Sequence, residues 1–195
     1  MHGSAAQAQP ALRTVDEFLR WVEAQPARYE FVGGRVVLMA GGSAAHNDIQ
    51  VNLLAALRNR LRDGPCRPNG PDLMLRIDDR TGRFPDASVT CGERSRNFLT
   101  EPTVLFEILS PATEARDRGE KRREYQRLPS LAHYVLIDQE TPRVEIYTRG
   151  DGRWLFQELE GLEATVQLEA IAIELPLAEL YDRVSLQPPD QATSA

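Results

Sequence analysis

The run Val104-Leu105-Phe106-Glu107-Ile108-Leu109 is apolar on both alternating faces and broken by one carboxylate. A strand with no polar face belongs inside a sheet that is covered on both sides. The neighbouring segments supply that cover. Thr14 and Glu17 form a capping-box pattern, and Val15, Phe18, Leu19 and Val22 follow on one face of a helix ending near Pro26. Ser43 reads as the N-cap of a second helix, with Ile49, Leu53, Leu57 and Leu61 at four-residue spacing until Asp63-Gly64-Pro65 stops it. A third, charged helix is expected over 114–128.

Extended segments fill the rest. Gly33-Gly34 reads as a hairpin turn between 29–32 and 35–39. Strands are expected at 73–77 and 86–91, with a turn over 78–82, and again at 103–109 and 133–138. A meander over 143–148 and 154–158 turns at Gly150-Asp151-Gly152, and a strand near 171–175 precedes a short helix over 176–182. The expected fold class is α/β, a mixed central β-sheet flanked by helices with an additional antiparallel meander.

A chain of 195 residues suits one domain, expected over 13–184, between unperiodic tails at 1–12 and 185–195. No apolar run is long enough to span a bilayer, and the first residues lack the order of a signal peptide, so a cytoplasmic protein without membrane association is expected. Cys66 and Cys91 are too few for a disulfide framework and lack paired metal-ligand spacing; Cys91 reads as a packing residue. The net charge of −6 opposes indiscriminate nucleic-acid binding without excluding it, because positive charge can be local. Residues 116–127 hold five arginines and one lysine. Apolar strands near the meander leave room for a homodimer interface.

Glu107 is the informative residue. A carboxylate in a central strand is desolvated, so it must be protonated, paired or metal-bound. Asp86 opens a neighbouring strand after Pro85, and two carboxylates on adjacent strands can converge into the oxygen-rich setting that Mg²⁺ prefers. A structural ion pair with an arginine explains Glu107 equally well at this point. Asp117, Lys121 and Tyr125 recur every four residues on one helix face, which alone suggests an exposed ion pair worth a few tenths of a kcal/mol. That helix, however, begins beside the C-terminal end of the Glu107 strand, where α/β sites form. His46 stands in the first turn of its helix, where the dipole favours a neutral imidazole able to orient a carboxylate.

In order along the chain stand Tyr29-Glu30-Phe31, Gly34, His46, Pro85-Asp86, Phe106-Glu107-Ile108-Leu109-Ser110-Pro111, Asp117…Lys121…Tyr125 and His133-Tyr134-Val135-Leu136-Ile137-Asp138. Together they resemble the restriction-endonuclease-like (Uma-two) family of the PD-(D/E)XK nuclease superfamily, over roughly residues 14–182. The resemblance implies a restriction-endonuclease-like core and an Mg²⁺-dependent endonuclease acting on nucleic acid, DNA foremost, with Mn²⁺ as a substitute. It implies that Asp86, Glu107 and the backbone carbonyl of Ile108 ligate the metal, with Glu30 as an additional acid. An Arg-paired or solvated Glu30 is the alternative. The superfamily places a lysine two residues after the second acid, and here that position is Leu109. Lys121 is expected to take that role, supported by Asp117 and Tyr125. The missing lysine and the acidic net charge also fit a nuclease fold that binds nucleic acid, or serves assembly, without turnover.

Overall fold

The structure is a computed structural model, and it describes residues 11–93 and 97–186. The expected tails therefore lie almost wholly outside the described residues. The chain begins with α1 (Val15–Val22), β1 (Tyr29–Val32), β2 (Arg35–Leu38) and α2 (Ala44–Arg60). Four strands follow: β3 (Arg67–Asn69), β4 (Leu75–Asp78), β5 (Thr81–Arg83) and β6 (Ala87–Thr90). Next come β7 (Val104–Leu109), α3 (Glu114–Arg116), a π-helical turn (Asp117–Lys121) and α4 (Arg122–Tyr125). The last elements are β8 (His133–Asp138), β9 (Arg143–Arg149), β10 (Trp154–Glu160), β11 (Thr165–Leu168), β12 (Ile173–Pro176) and α5 (Leu177–Leu180).

The main sheet is six-stranded and mixed, in the order β10-β9-β8-β7-β6-β3. β7 and β8 are parallel, with Glu107 opposite Leu136, and the other neighbours are antiparallel. A parallel pair needs a crossover, and the helical segment from Glu114 to Tyr125 supplies it. Side-chain alternation along β7 then sorts the core. Val104, Phe106 and Ile108 pack with Ile49, Leu53 and Leu57 of α2. Leu105 and Leu109 pack with Tyr125 and Leu128 on the crossover side. Glu107 has the parity of Leu105 and Leu109, so it faces the crossover helix. β10 is an edge strand, and its Leu155 and Phe156 are exposed.

A smaller sheet, β2-β1-β5-β4, leans on α1. The Thr14 side chain caps α1 by accepting the Glu17 N–H at 3.2 Å, and Phe18 stacks on Phe31 of β1 with ring centroids 5.3 Å apart. Gly33 and Gly34 both have positive φ, as the tight β1–β2 turn requires. The β11–β12 pair and α5 close the other side of α2, where Asn52 donates to the Leu180 and Asp182 carbonyls at 3.0 and 2.9 Å.

Several local expectations need correction. The turn expected over 78–82 contains a strand, since Thr81-Gly82-Arg83 pairs with both β1 and β4. The helix expected over 114–128 is not one α-helix. Its middle widens to π geometry where the Tyr134 hydroxyl donates to the Asp117 carbonyl at 3.1 Å, and it ends at Tyr125. Strands β3 and β11 form where none was expected; β3 includes Pro68 and lies at the sheet edge, where proline is tolerated. Cys91, expected to be a packing residue, is joined to Cys66 in a disulfide, the two flanking the β3–β6 ladder that pairs Arg67 with Thr90.

Candidate active site

The candidate side chains arrive at one place because several elements meet there. β7 presents Glu107 towards the crossover helix, the π turn begins at Asp117 and ends at Lys121, and Asp86 immediately precedes β6, whose Ala87 sits opposite Phe106. α2 brings its first turn to the same point, since the Ser43 hydroxyl accepts the His46 N–H at 3.0 Å. Gly42 lets this turn close: a Cβ there would lie 3.1 Å from His46 Cδ2. Glu30, His46, Asp86, Glu107, Asp117 and Lys121 line one cleft of about 280 Å³.

Lys121 is the hub. Its Nζ lies 2.9 Å from Glu107 Oε2, 3.0 Å from Asp117 Oδ1 and 3.9 Å from Glu30 Oε1. Glu107 Oε1 accepts the Tyr125 hydroxyl at 2.8 Å, so Tyr125 forms the floor of the site rather than its wall. Asp86 is held from two sides: its Oδ2 accepts the Ile108 N–H at 2.7 Å, and His46 Nε2 lies 3.2 Å from its Oδ1. Gln50 adds a third tie by donating to the Asp86 carbonyl at 3.1 Å.

One ammonium thus faces three buried carboxylates. Burial raises the Glu107 pKa well above the usual carboxylate range; Lys121 opposes the shift, while Asp117 and Asp86 add to it. Burial by itself would lower the Lys121 pKa, but Glu107, Glu30 and Asp117 outweigh it and keep the ammonium charged. The Tyr125 hydroxyl is pushed upward by burial and by Glu107, so it stays a donor.

Glu30 both lines the cleft and is ion-paired. It is buried, with Oε2 3.0 Å from Arg83 and Oε1 accepting the Phe84 N–H at 3.3 Å. Arg83 carries no burial signal in the sequence, where it directly follows the turn expected over 78–82. It is fully buried and also donates to both carboxylate oxygens of Glu124 at 2.9 Å, tying β5 to α4. No motif signals this arginine; its role emerges only from the pairing of β5 with β1.

A family described as "Uma2: Putative restriction endonuclease" matches residues 15–178. The chain belongs to the Uma2 family. Two uncharacterised proteins of Synechocystis sp. (strain ATCC 27184 / PCC 6803 / Kazusa) are similar to this Uma2 chain. One is 34% identical over 171 residues, covering 85% of this chain and 90% of the relative. The other is 32% identical over 173 residues, covering 85% and 98%. A crystal structure described as a putative nuclease belonging to DUF820, from Anabaena variabilis ATCC 29413, superposes with a TM-score of 0.69. It covers 87% of this chain and 97% of its own at 20% identity, so the likeness is one of fold.

The Uma2 site can be tested for fit to the divalent cation that the resemblance implies. Among the described residues, no group of three His, Cys, Asp or Glu side chains has the arrangement of a metal cage. Mg²⁺ does not need one, since it is commonly held by one or two carboxylates with water and substrate phosphate completing the shell. Asp86 and Glu107 offer hard oxygen donors on one cleft wall. Each carboxylate oxygen that already accepts one hydrogen bond keeps a second lone pair. Burial of Glu107 is the main cause of its raised pKa, with Asp117 and Asp86 adding to it against the opposing Lys121. The residues present fit such an ion. No helix among the described residues is long and apolar enough to cross a membrane.

Proposed function

We propose that this chain is a metal-dependent endonuclease that hydrolyses phosphodiester bonds, with DNA as its substrate and Mg²⁺, or Mn²⁺ in its place, as its cation. The observation that carries the reading is Lys121 Nζ at 2.9 Å from Glu107 Oε2. A lysine at position 109 would share the strand face of Glu107; Leu109 instead packs in the apolar cluster, and the crossover helix delivers an ammonium to that carboxylate. Two carboxylates beside one ammonium support a reading as phosphodiester hydrolysis.

Asp86 and Glu107, with the Ile108 carbonyl, would hold the ion. The chemistry such an ion supplies is charge neutralisation on the scissile phosphate and acidification of water. Lys121 orients the attacking water or donates to the phosphoryl oxygens as negative charge develops there. Asp117 positions the ammonium from one side and Glu30, anchored by Arg83, from the other. His46 holds Asp86, and Tyr125 holds Glu107, in the rotamers that face the cleft. Cleavage of plasmid and single-stranded DNA by purified protein, with Mg²⁺ or chelator, tests the reading. Metal-dependent cleavage that disappears in Glu107→Gln is expected; absence of cleavage with any divalent ion, or an equally active variant, overturns it.

A further inference from the structure

The far end of α2 carries positive charge that the cleft does not use. Residues 58–68 contain four arginines, Arg58, Arg60, Arg62 and Arg67, and one acid, Asp63. Arg60 is neutralised by Glu179, with its NH1 2.9 Å from Glu179 Oε1. Arg58, Arg62 and Arg67 are exposed and make no ion pair with any described residue. These three line one depression of about 330 Å³, with no acidic side chain in its wall. Favourable interaction with the helix dipole accounts for arginines in the last turn of α2. It does not account for Arg67, which comes from β3, nor for converging three like charges in a protein of net charge −6.

Position gives this patch its meaning. Asn47 lines the cleft, and Asn47, Val51, Leu54 and Arg58 recur at three- and four-residue spacing along α2. A single face of the helix therefore runs from cleft to patch, and it carries no acidic side chain. Val51 on that face is 57% exposed. Asn47 and Arg58 are about 16 Å apart along the axis, close to five base-pair steps of a duplex. The Cys66–Cys91 disulfide fastens the Arg67 strand to β6, the strand that Asp86 precedes. The patch is thereby held at a fixed distance from the candidate metal ligands.

We infer that Arg58, Arg62 and Arg67 form a phosphate-backbone anchor for nucleic acid whose reacting segment lies in the cleft. The inference rests on the nuclease reading for what occupies the cleft, but its own test is affinity. Each arginine that neutralises a phosphate releases a condensed counterion, so it shows in the salt dependence of binding. The bases are untouched, so the anchor adds affinity without sequence preference.

The test uses the full chain and a fluorescent duplex of about 20 base pairs, in chelator, titrated at several salt concentrations. Arg58→Gln combined with Arg67→Gln is expected to weaken binding roughly tenfold and to flatten the log–log salt slope by about two units. In Mg²⁺, the same variant is expected to raise KM for the long duplex with kcat unchanged. KM for a trinucleotide, too short to reach the patch from the cleft, stays as in the parent. Unchanged affinity and slope in the variant overturn the anchor. So does wild-type binding to anionic phospholipid vesicles with none to the duplex. If no nucleic acid is cleaved but affinity and slope fall as stated, the anchor stands and the catalytic reading fails.

Discussion

Lys121 Nζ lies 2.9 Å from Glu107 Oε2 although the two residues belong to different elements, a π turn and a central strand. The ammonium thus reaches the second acid from across the crossover rather than from the same strand. Lys121→Met should therefore lower kcat about 10²–10³-fold, the usual loss when one transition-state donor is removed. Divalent-ion affinity by calorimetry should not fall, because the variant frees Glu107 Oε2. Leu109→Lys in that background should recover a measurable part of the activity, since position 109 has the parity of Glu107 on β7. A variant as active as the parent removes Lys121 from the site chemistry.

Arg83 spans Glu30 and Glu124 while fully buried. Removing one partner of a buried ion pair leaves the other uncompensated, at a cost of about 3–5 kcal/mol. Arg83→Met should lower unfolding free energy in urea by that amount, whereas a surface change such as Arg20→Gln should move it by less than about 0.5 kcal/mol. Equal stability of the Arg83 variant and the parent would show that the network is not held as described.

His133 is buried; its Nδ1 lies 3.1 Å from the Thr148 hydroxyl, and its Nε2 accepts the Ala170 N–H at 3.3 Å. An accepting Nε2 is an unprotonated one. Burial lowers its pKa below the ordinary 6.5, only partly offset by Glu169. The stability it contributes is then complete above pH 6.5 and lost as pH falls through the lowered folded-state value. The Tm difference between wild type and His133→Asn should be constant above that pH and shrink below it. A difference that is flat down to pH 5, or that grows on acidification, contradicts this account.

The Cys66–Cys91 bond closes a loop between residues separated by 25 positions. Loop-closure entropy for that length gives about 3.5 kcal/mol. Cys91→Ser, or reduction with thiol, should lower stability by that order, read as a fall in urea midpoint with m rising as the unfolded chain loses its cross-link. A midpoint unchanged by reductant would mean that the thiols are not joined in solution.

How much of this is legible in the sequence depends on the distance over which each feature is encoded. Glu107 is legible because its oddity is local, one charge among five apolar neighbours. The α1 and α2 caps are legible because Thr14 and Ser43 act within three residues. Arg83 is not, since its partners lie 53 and 41 positions away and its strand is three residues long. The disulfide depends on β3, a short edge strand that contains a proline and so carries almost no strand signal. The π turn coincides with a hydroxyl of β8 at the Asp117 carbonyl, a tertiary contact that no helical periodicity records. Position 109 marks the boundary: the leucine there is visible in the sequence, while the contact of Lys121 with Glu107 becomes geometry only once β7 and the crossover pack together.

The central claim is that Asp86 and Glu107 hold one divalent cation beside Lys121. Its most direct test is a crystal soaked in Mn²⁺ and measured at the metal's absorption edge. A single anomalous peak is predicted about 2.2 Å from a carboxylate oxygen of each acid, with the Lys121 ammonium displaced from Glu107 but still in the cleft. No peak at saturating Mn²⁺, or a peak elsewhere with Lys121 still paired to Glu107, would contradict the account.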